Sequence, residues 1–311
     1  MGRVVSNDIS AIVPEIWSTM VQIPLYKSLV SMAVANTKLR SELTRGDTIH
    51  VPYFGDLSAQ TYTPGTPLSA TNLDWTYDTI VVSSYKHATF YIDDVEALQA
   101  NIEQQSDLTE EAAYRLKDGI DTSVFANITG SDGGTVADTE DLLGGTNARP
   151  ISAGSSTIIN LFAGAREVLR GLNVEETRDW VAVVTPKIAN FIETKSTNVG
   201  YDVADSTLRN GFVGNFMGFK VYISNNLPSG KCSAIAPQIS GGAVSATTCK
   251  SIYIGRAGAI DLIMQKAPTL TIKDCEDKLG KNFITWTVYG SGVTTKNRSR
   301  FLNVPVQNGW Y

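Results

Sequence analysis

Forty consecutive residues, Gly46 to Tyr85, pass without a lysine or an arginine, in a chain of 311 residues that holds 26 of them. That gap excludes, for this stretch, any role needing a cationic side chain, phosphate binding included. Histidine is scarcer still. Only His50 and His87 occur, too few for a histidine-based metal centre, and their places on predicted strands argue against a Ser-His-Asp arrangement. The three cysteines, Cys232, Cys249 and Cys275, are odd in number and lack C-x-x-C spacing. They read either as reduced thiols or as one Cys232–Cys249 bridge closing "CSAIAPQISGGAVSATTC", a loop closure worth about 3 kcal/mol. Apolar runs such as "WVAVV" (180–184) fall far short of the ~20 residues of a membrane span. Polar Ser6, Asn7 and Asp8 follow Arg3 where a secretion signal would be apolar, so synthesis in the cytosol is the expectation. Enzyme motifs are missing too. No G-x-G-x-x-G follows a strand, "SGKC" (229–232) lacks the glycine and spacing of a phosphate loop, and neither H-E-x-x-H nor G-x-S-x-G occurs. The expectation is no catalysis, no cofactor, no metal and no membrane.

What is present is unevenly placed. The net charge is −5, and the lysine-free stretch carries Asp47, Asp56, Asp74 and Asp78, four of those five excess charges. The same stretch holds Tyr53, Phe54, Tyr62, Trp75 and Tyr77. "TIHVPYF" (48–54) and "DTIVVSSYKHATFYI" (78–92) alternate β-branched and aromatic residues and predict two strands flanking a Pro/Gly/Thr-rich tip. A long hairpin of two strands is marginal in water by itself. It either lies back over its own domain or completes its folding on a neighbour. In the second case the acidic residues would set register against a basic patch.

Upstream, Pro14 starts a helical pattern with Ile16, Trp17, Met20 and Val21 on one face, broken by Pro24. So short an apolar segment must dock on something. Downstream, 93–128 predicts one long helix, re-phased near Asp107, where Asp107 and Glu110 resemble a capping box. Thirty-five such residues would span about 50 Å, the length of a strut. Asp93/Asp94 and Glu110/Glu111 read as first-turn charges complementing the helix dipole. A Gly-rich connector (130–150) leads to a helix over 155–173, then a buried strand, a turn at Thr185-Pro186 and a helix. Glycine-punctuated strands follow over 208–228, then a strand "SIYIGRAGAIDLIMQ" (251–265) and a β-rich tail. Trp180 and Trp286 fall in apolar strands and are expected in the core. Trp17 and Trp75 fall on segments that cannot pack alone, where aromatic anchors of interfaces belong. The fold class is α+β.

This order of elements resembles the major capsid proteins of tailed bacteriophages with the HK97-like fold. "VPEIWS" (13–18) resembles the start of that family's N-arm. "RGDTIHVPYFGDLSAQTYTPGT" followed by "SYKHATFYIDDVEALQ" is similar to its extended loop running into the spine helix. "AREVLRGLNVEETRDWVAVVTP" (165–186) and "LRNGFVGNFMGFKVYISNNLP" (208–228) are similar to the axial domain, and "WTVYG" (286–290) resembles a strand returning to the peripheral domain. The resemblance implies an N-arm over 1–45, an extended loop over 46–86, a peripheral domain with the spine helix over 87–150, an axial domain over 151–265 and a return to the peripheral domain over 266–311.

It further implies pentamers and hexamers closing into an icosahedral virion shell around double-stranded DNA that the chain contacts weakly. The portal protein is an implied partner, with a separate scaffold and a decoration or cement protein as further ones. The arm begins almost at Met1, so no cleaved scaffolding segment is expected to precede it. With no lysine in 46–85, the loop cannot supply the lysine-to-asparagine cross-link that some members make, and a non-covalent shell is expected. Interface residues on this reading are Ile16, Trp17, Tyr53, Tyr62, Trp75, Tyr77, Asp56 and Asp74. Two alternatives stand beside it: an encapsulin-like compartment around a cargo enzyme, and an unrelated enzyme or binding module with a decorative hairpin.

Overall fold

The structure is a computed structural model, and it describes residues 26–27, 29–41, 43, 46–55, 57, 59–67, 75–95, 105–128, 151–152, 158–174, 179–199, 212–229, 249–275 and 278–307. Side-chain surroundings are not described at some of these positions. Among the described residues the strands form three sheets. β1 (Thr48–Phe54) and β2 (Trp75–Val81) make an antiparallel pair. β3 (Ser84–Asp93), β9 (Asp261–Asp274) and β10 (Gly280–Gly292) make a three-stranded sheet with β10 in the middle. The third sheet has six strands in the order β4-β11-β8-β5-β7-β6. Its members are β4 (Ile151–Ser152), β5 (Trp180–Val184), β6 (Phe212–Phe216), β7 (Phe219–Ile223), β8 (Cys249–Arg256) and β11 (Phe301–Gln307).

The larger core lies at the six-stranded sheet. All five residues of β5 are buried, which explains an apolar run without alternation: the strand is covered on both faces. Helices α3 (Ile158–Gly171) and α4 (Pro186–Val199) accompany it. On α3 the buried residues Ile158, Leu161, Phe162, Ala165 and Leu169 recur three and four apart, one helical stripe. α3 ends through Asn173 at φ 56, a left-handed residue that asparagine tolerates. Trp180 stacks on Phe219 at 5.1 Å between ring centroids, and Phe162 meets Phe219 edge-on at 5.7 Å. β6 and β7 turn through Met217-Gly218, both at positive φ (50° and 89°), the geometry of a two-residue hairpin.

Helix α2 (Gln105–Ala126) lies against the three-stranded sheet. Its 22 described residues correspond to about 33 Å of strut; residues 96–104 of the expected helix lie outside the described ones. Asp107 is in its first turn, but Glu110 and Glu111 fall in the second, so the expected first-turn role does not hold for that pair. Glu111 instead pairs with Arg115 one turn on. Asp93 meets the expectation differently, its Oδ1 accepting the Val95 N–H at 2.9 Å.

Asp121 is wholly buried on α2 and ties the N-terminal segment down. Its Oδ1 accepts the N–H groups of Val30 (3.0 Å) and Ser31 (2.7 Å), at the start of the short helix α1 (Ser31–Val34). Asn226 Nδ2 donates to Asp121 Oδ2 (3.0 Å) and to Asp118 Oδ1 (2.6 Å), and Lys27 Nζ donates to Asn226 Oδ1 (3.0 Å). A buried carboxylate is tolerated because both of its oxygens accept hydrogen bonds, three in all.

Two strands expected to be continuous are each broken by a change of sheet. The stretch 78–92 divides at Val82-Ser83. β2 pairs with β1, β3 pairs with β10, and the buried Val82 between them donates its N–H to Asp47 O. The stretch 251–265 divides at Ala257–Ile260, where Gly258 takes φ 81, sending β8 to the six-stranded sheet and β9 to the three-stranded one. Trp286 is not a core residue. It is 36% exposed with the Lys266 ammonium 5.1 Å above its ring. The reason is parity: Phe283, Thr285, Thr287 and Tyr289 of β10 are buried on the face toward α2, which puts Trp286 on the other face. Element bounds also differ from segment bounds at two places. β9 runs across position 265, and β11 pairs with β8 in the six-stranded sheet.

Candidate functional site

The hairpin has two unlike faces. The register pairs Thr48 with Val81, His50 with Thr79, Pro52 with Tyr77 and Phe54 with Trp75, and these residues share one face. Ile49, Val51 and Tyr53 share the other with Ile80, Asp78 and Thr76. The second face is turned inward at its root. There Ile49, Ile80, Val82, Leu43 and Ile263 bury one another, with Leu39, Val51 and Val288 packed against them. The hairpin therefore does not lack a core. A small one, separate from that of the six-stranded sheet, seats its root on β9 and β10.

Polar contacts fix the same root. Asp78 accepts from both the N–H (2.6 Å) and the hydroxyl (2.7 Å) of Thr295. Gln265 Nε2 donates to Gly46 O at 3.0 Å. Asp78 was expected, from its charge, to await a basic patch elsewhere; the structure spends its carboxylate within the chain. Gly290 is required where β10 passes the root, because a Cβ there would lie 2.5 Å from Val81 O and 2.8 Å from Val82 Cα.

The first face is open. Trp75 is 69% exposed, Tyr77 62%, Phe54 48% and Val81 47%. These side chains order one another without being covered. Trp75 meets Phe54 edge-on at 5.3 Å, Tyr77 meets His50 edge-on at 4.8 Å, and His50 Nδ1 lies 3.1 Å from Thr79 Oγ1. Toward the tip Leu57 and Tyr62 are exposed as well. An apolar row of this length on one hairpin face is what a binding surface offers, since scattered single residues would need no explanation.

Of the residues expected at an interface, the structure brings Trp75 and Tyr77 together on the open face and leaves Tyr62 exposed near the tip. Tyr53 belongs to the inward face and is half-buried. Ile16, Trp17, Asp56 and Asp74 lie outside the described residues. Phe54 and Val81 complete the row. Only the pairing of β1 with β2 sets both beside Trp75 and Tyr77. His50 is exposed on β1, whereas His87 lies on β3 of the three-stranded sheet and not on the hairpin. Cys275 is a free thiol; the side chains of Cys232 and Cys249 lie outside the described residues.

One buried carboxyl lies at the joint between the sheets. Asp261 accepts from Asn36 Nδ2 at 2.7 Å and Asn297 Nδ2 at 3.4 Å. Burial raises its pKa, and the two amides and Arg300 only partly oppose that shift.

A family of phage capsid proteins matches residues 55–302. Among solved structures, a Mycobacterium phage Che8 structure is 18% identical with a TM-score of 0.69, covering 94% of this chain and 96% of that one. The capsid of the cyanophage P-SCSP1u is 16% identical with a TM-score of 0.69, covering 97% and 95%. The capsid of a native GTA particle is 12% identical with a TM-score of 0.63, covering 99% of both. No curated protein matches. With root, strut and open hairpin face in place, the fold is the HK97-like one expected of a capsid subunit. The chain belongs to the phage capsid protein family and is a structural subunit of the phage shell.

Proposed function

We propose that this major capsid protein builds the shell non-covalently, as pentamers and hexamers in which each hairpin lies on the next subunit. The observation that carries this reading is the hairpin's asymmetry: a root fixed by its own core, and beyond it a row of exposed Phe54, Trp75, Tyr77 and Val81. A neighbour that covers the row completes in trans what two strands cannot complete alone. Contact of one subunit's hairpin with the body of the next is heterologous, and such a contact closes into a ring where its rotation divides a full turn, as five- and sixfold rings require. The summed interface is expected to be large and obligate, of order 2,000–5,000 Å² per subunit. The segment before Tyr26, leaving from the Asp121 anchor, acts as the second clasp through Ile16 and Trp17. Tyr53, Tyr62, Asp56 and Asp74 adjust the seat of the hairpin.

In this reading the segments divide as arm (1–45), extended loop (46–86), peripheral domain (87–150, with 266–311) and axial domain (151–265). The subunit performs no catalysis. Assembly occurs in the host bacterial cytoplasm, around a portal and with a scaffold or cement protein supplied separately. A net charge of −5 supports only loose contact with packaged double-stranded DNA.

Negative-stain electron microscopy of the gently purified full chain tests the proposal. Uniform shells, hollow or filled, are expected. Particles that stay near 33.6 kDa at every concentration and salt, and with candidate scaffold added, refute self-assembly as stated.

A further inference from the structure

The chain crosses between its two larger sheets twice within the described residues: from β8 to β9 through 257–260, and from β10 to β11 through 293–300. Asp261 holds the crossings together. Its buried carboxylate accepts from Asn297 on the second crossing and from Asn36 on the N-terminal segment. Asn36 is fixed further by its N–H to Ile260 O (2.7 Å) and by Leu262 N–H to its own carbonyl (2.9 Å). The second crossing contains a 3-10 turn, Thr295–Arg300, opened by the buried Thr294. Thr294 O takes the N–H groups of Asn297 (2.9 Å) and Arg298 (3.2 Å), and Arg300 Nη1 holds Asn297 Oδ1 at 2.7 Å. Thr295, two residues before Asn297, gives both its donors to Asp78 on the hairpin. One six-residue turn is thus gripped by the hairpin at its start and by the joint between the sheets at its middle.

We propose that this turn is a mechanical relay, so that the tilt of the hairpin and the angle between the two sheets change together. Asp78 lies four residues from Val82, where the chain leaves the hairpin, a lever of about 13 Å at strand rise. A tilt of about 10° at that root moves the carboxylate by about 2 Å, well beyond the tolerance of a hydrogen bond. Two donors from a single residue fix direction as well as distance, so the turn follows the hairpin. Inside the turn, movement at Thr295 reaches Asn297 through the Thr294 carbonyl. The Asn297–Asp261 contact, at 3.4 Å the longest of the set, is the one that yields first. The coupling is reciprocal by necessity: whatever shifts the joint biases the hairpin. This device belongs to the single chain and stands apart from whether the hairpin seats on a neighbour.

Amide hydrogen exchange, read by mass spectrometry on the full unassembled chain, tests the relay, since it reports local opening. Thr295→Val removes the hydroxyl donor and keeps the shape. It should speed exchange about fivefold or more, the lower end of ordinary coupling, both in 75–81 and in peptides over 258–264. Thr295→Ser should restore both. Asn297→Ala, at a residue with no hydrogen bond to the described hairpin residues, should speed 75–81 as well. Should Thr295→Val not fold, Asp78→Asn perturbs the same clasp. Acceleration confined to the hairpin for Thr295→Val and to the joint for Asn297→Ala overturns the proposal. So does acceleration spread equally to Trp180–Val184, which would be general loosening, or no acceleration at either place.

Discussion

Replacing Trp75 by Ala separates folding from assembly. In the single chain the indole is 69% exposed, and its one described ring partner is Phe54 at 5.3 Å. Losing that edge-to-face contact should cost the unassembled subunit about 0.5–1.5 kcal/mol. A tryptophan buries about 150–250 Å² when covered. With 69% of it open, about 100–170 Å² remains for a neighbour to cover, worth about 2.5–4 kcal/mol per contact. At 1.4 kcal/mol per decade, association should weaken by about 60- to 700-fold. Two measurements on one sample decide it: urea unfolding of the subunit, and the concentration at which shells appear by light scattering. The expected result is a small shift in the first and a shift of two orders of magnitude in the second. Normal assembly by subunits that unfold much more readily would refute the reasoning, because Trp75 would then be serving its own chain.

Other changes test the scaffold that presents this face. Asp121→Ala strands the buried N–H groups of Val30 and Ser31 and should destabilise the subunit by about 2–4 kcal/mol, seen in the urea midpoint, with faster proteolysis near residue 30. Gly290→Ala forces a Cβ against Val81 O and Val82 Cα and should lower the melting temperature by several degrees while loosening the hairpin root to protease. The pH dependence of Asp261 has a definite sign. Burial raises the folded-state pKa above the ordinary 3.8, so the folded chain binds the proton more tightly than the unfolded one. Its contribution is therefore fully present below about 3.8 and is lost as pH rises through the raised folded value. In urea titrations at successive pH values, stability relative to Asp261→Asn should fall across that window; a rise would contradict the burial of the carboxyl.

The features legible in the sequence are those set by local chemistry. β1 occupies the residues predicted, 48–54, because alternation, β-branching and a following Gly55 coincide there. The turn at Thr185-Pro186 and the end of α3 near Asn173 follow from proline and from a residue that tolerates positive φ. What could not be read was where a strand changes sheets. Val82 looks like any other β-branched residue of its run, and only the close passage of Gly290 shows why the chain bends there. Trp286 failed for a related reason: an apolar strand says that one face is buried, and its partners decide which. Asp78 shows the limit for charge, since four aspartates without a base gave no sign that one of them would hold Thr295. For the candidate surface, Trp75 and Tyr77 were found by exclusion, as aromatics on a segment with too little of its own to pack against. Phe54 and Val81 needed the register.

The parity of the hairpin has an evolutionary consequence. Positions 48, 50, 52 and 54 answer to 75, 77, 79 and 81, and all face away from the root, while 49 and 51 answer to 78 and 80 and face into it. Selection for a sound subunit therefore acts on one set and selection for a fitting neighbour on the other, although the two alternate along the chain. Related phages could remodel how their shells close by drifting at every second residue, without disturbing how a single subunit folds.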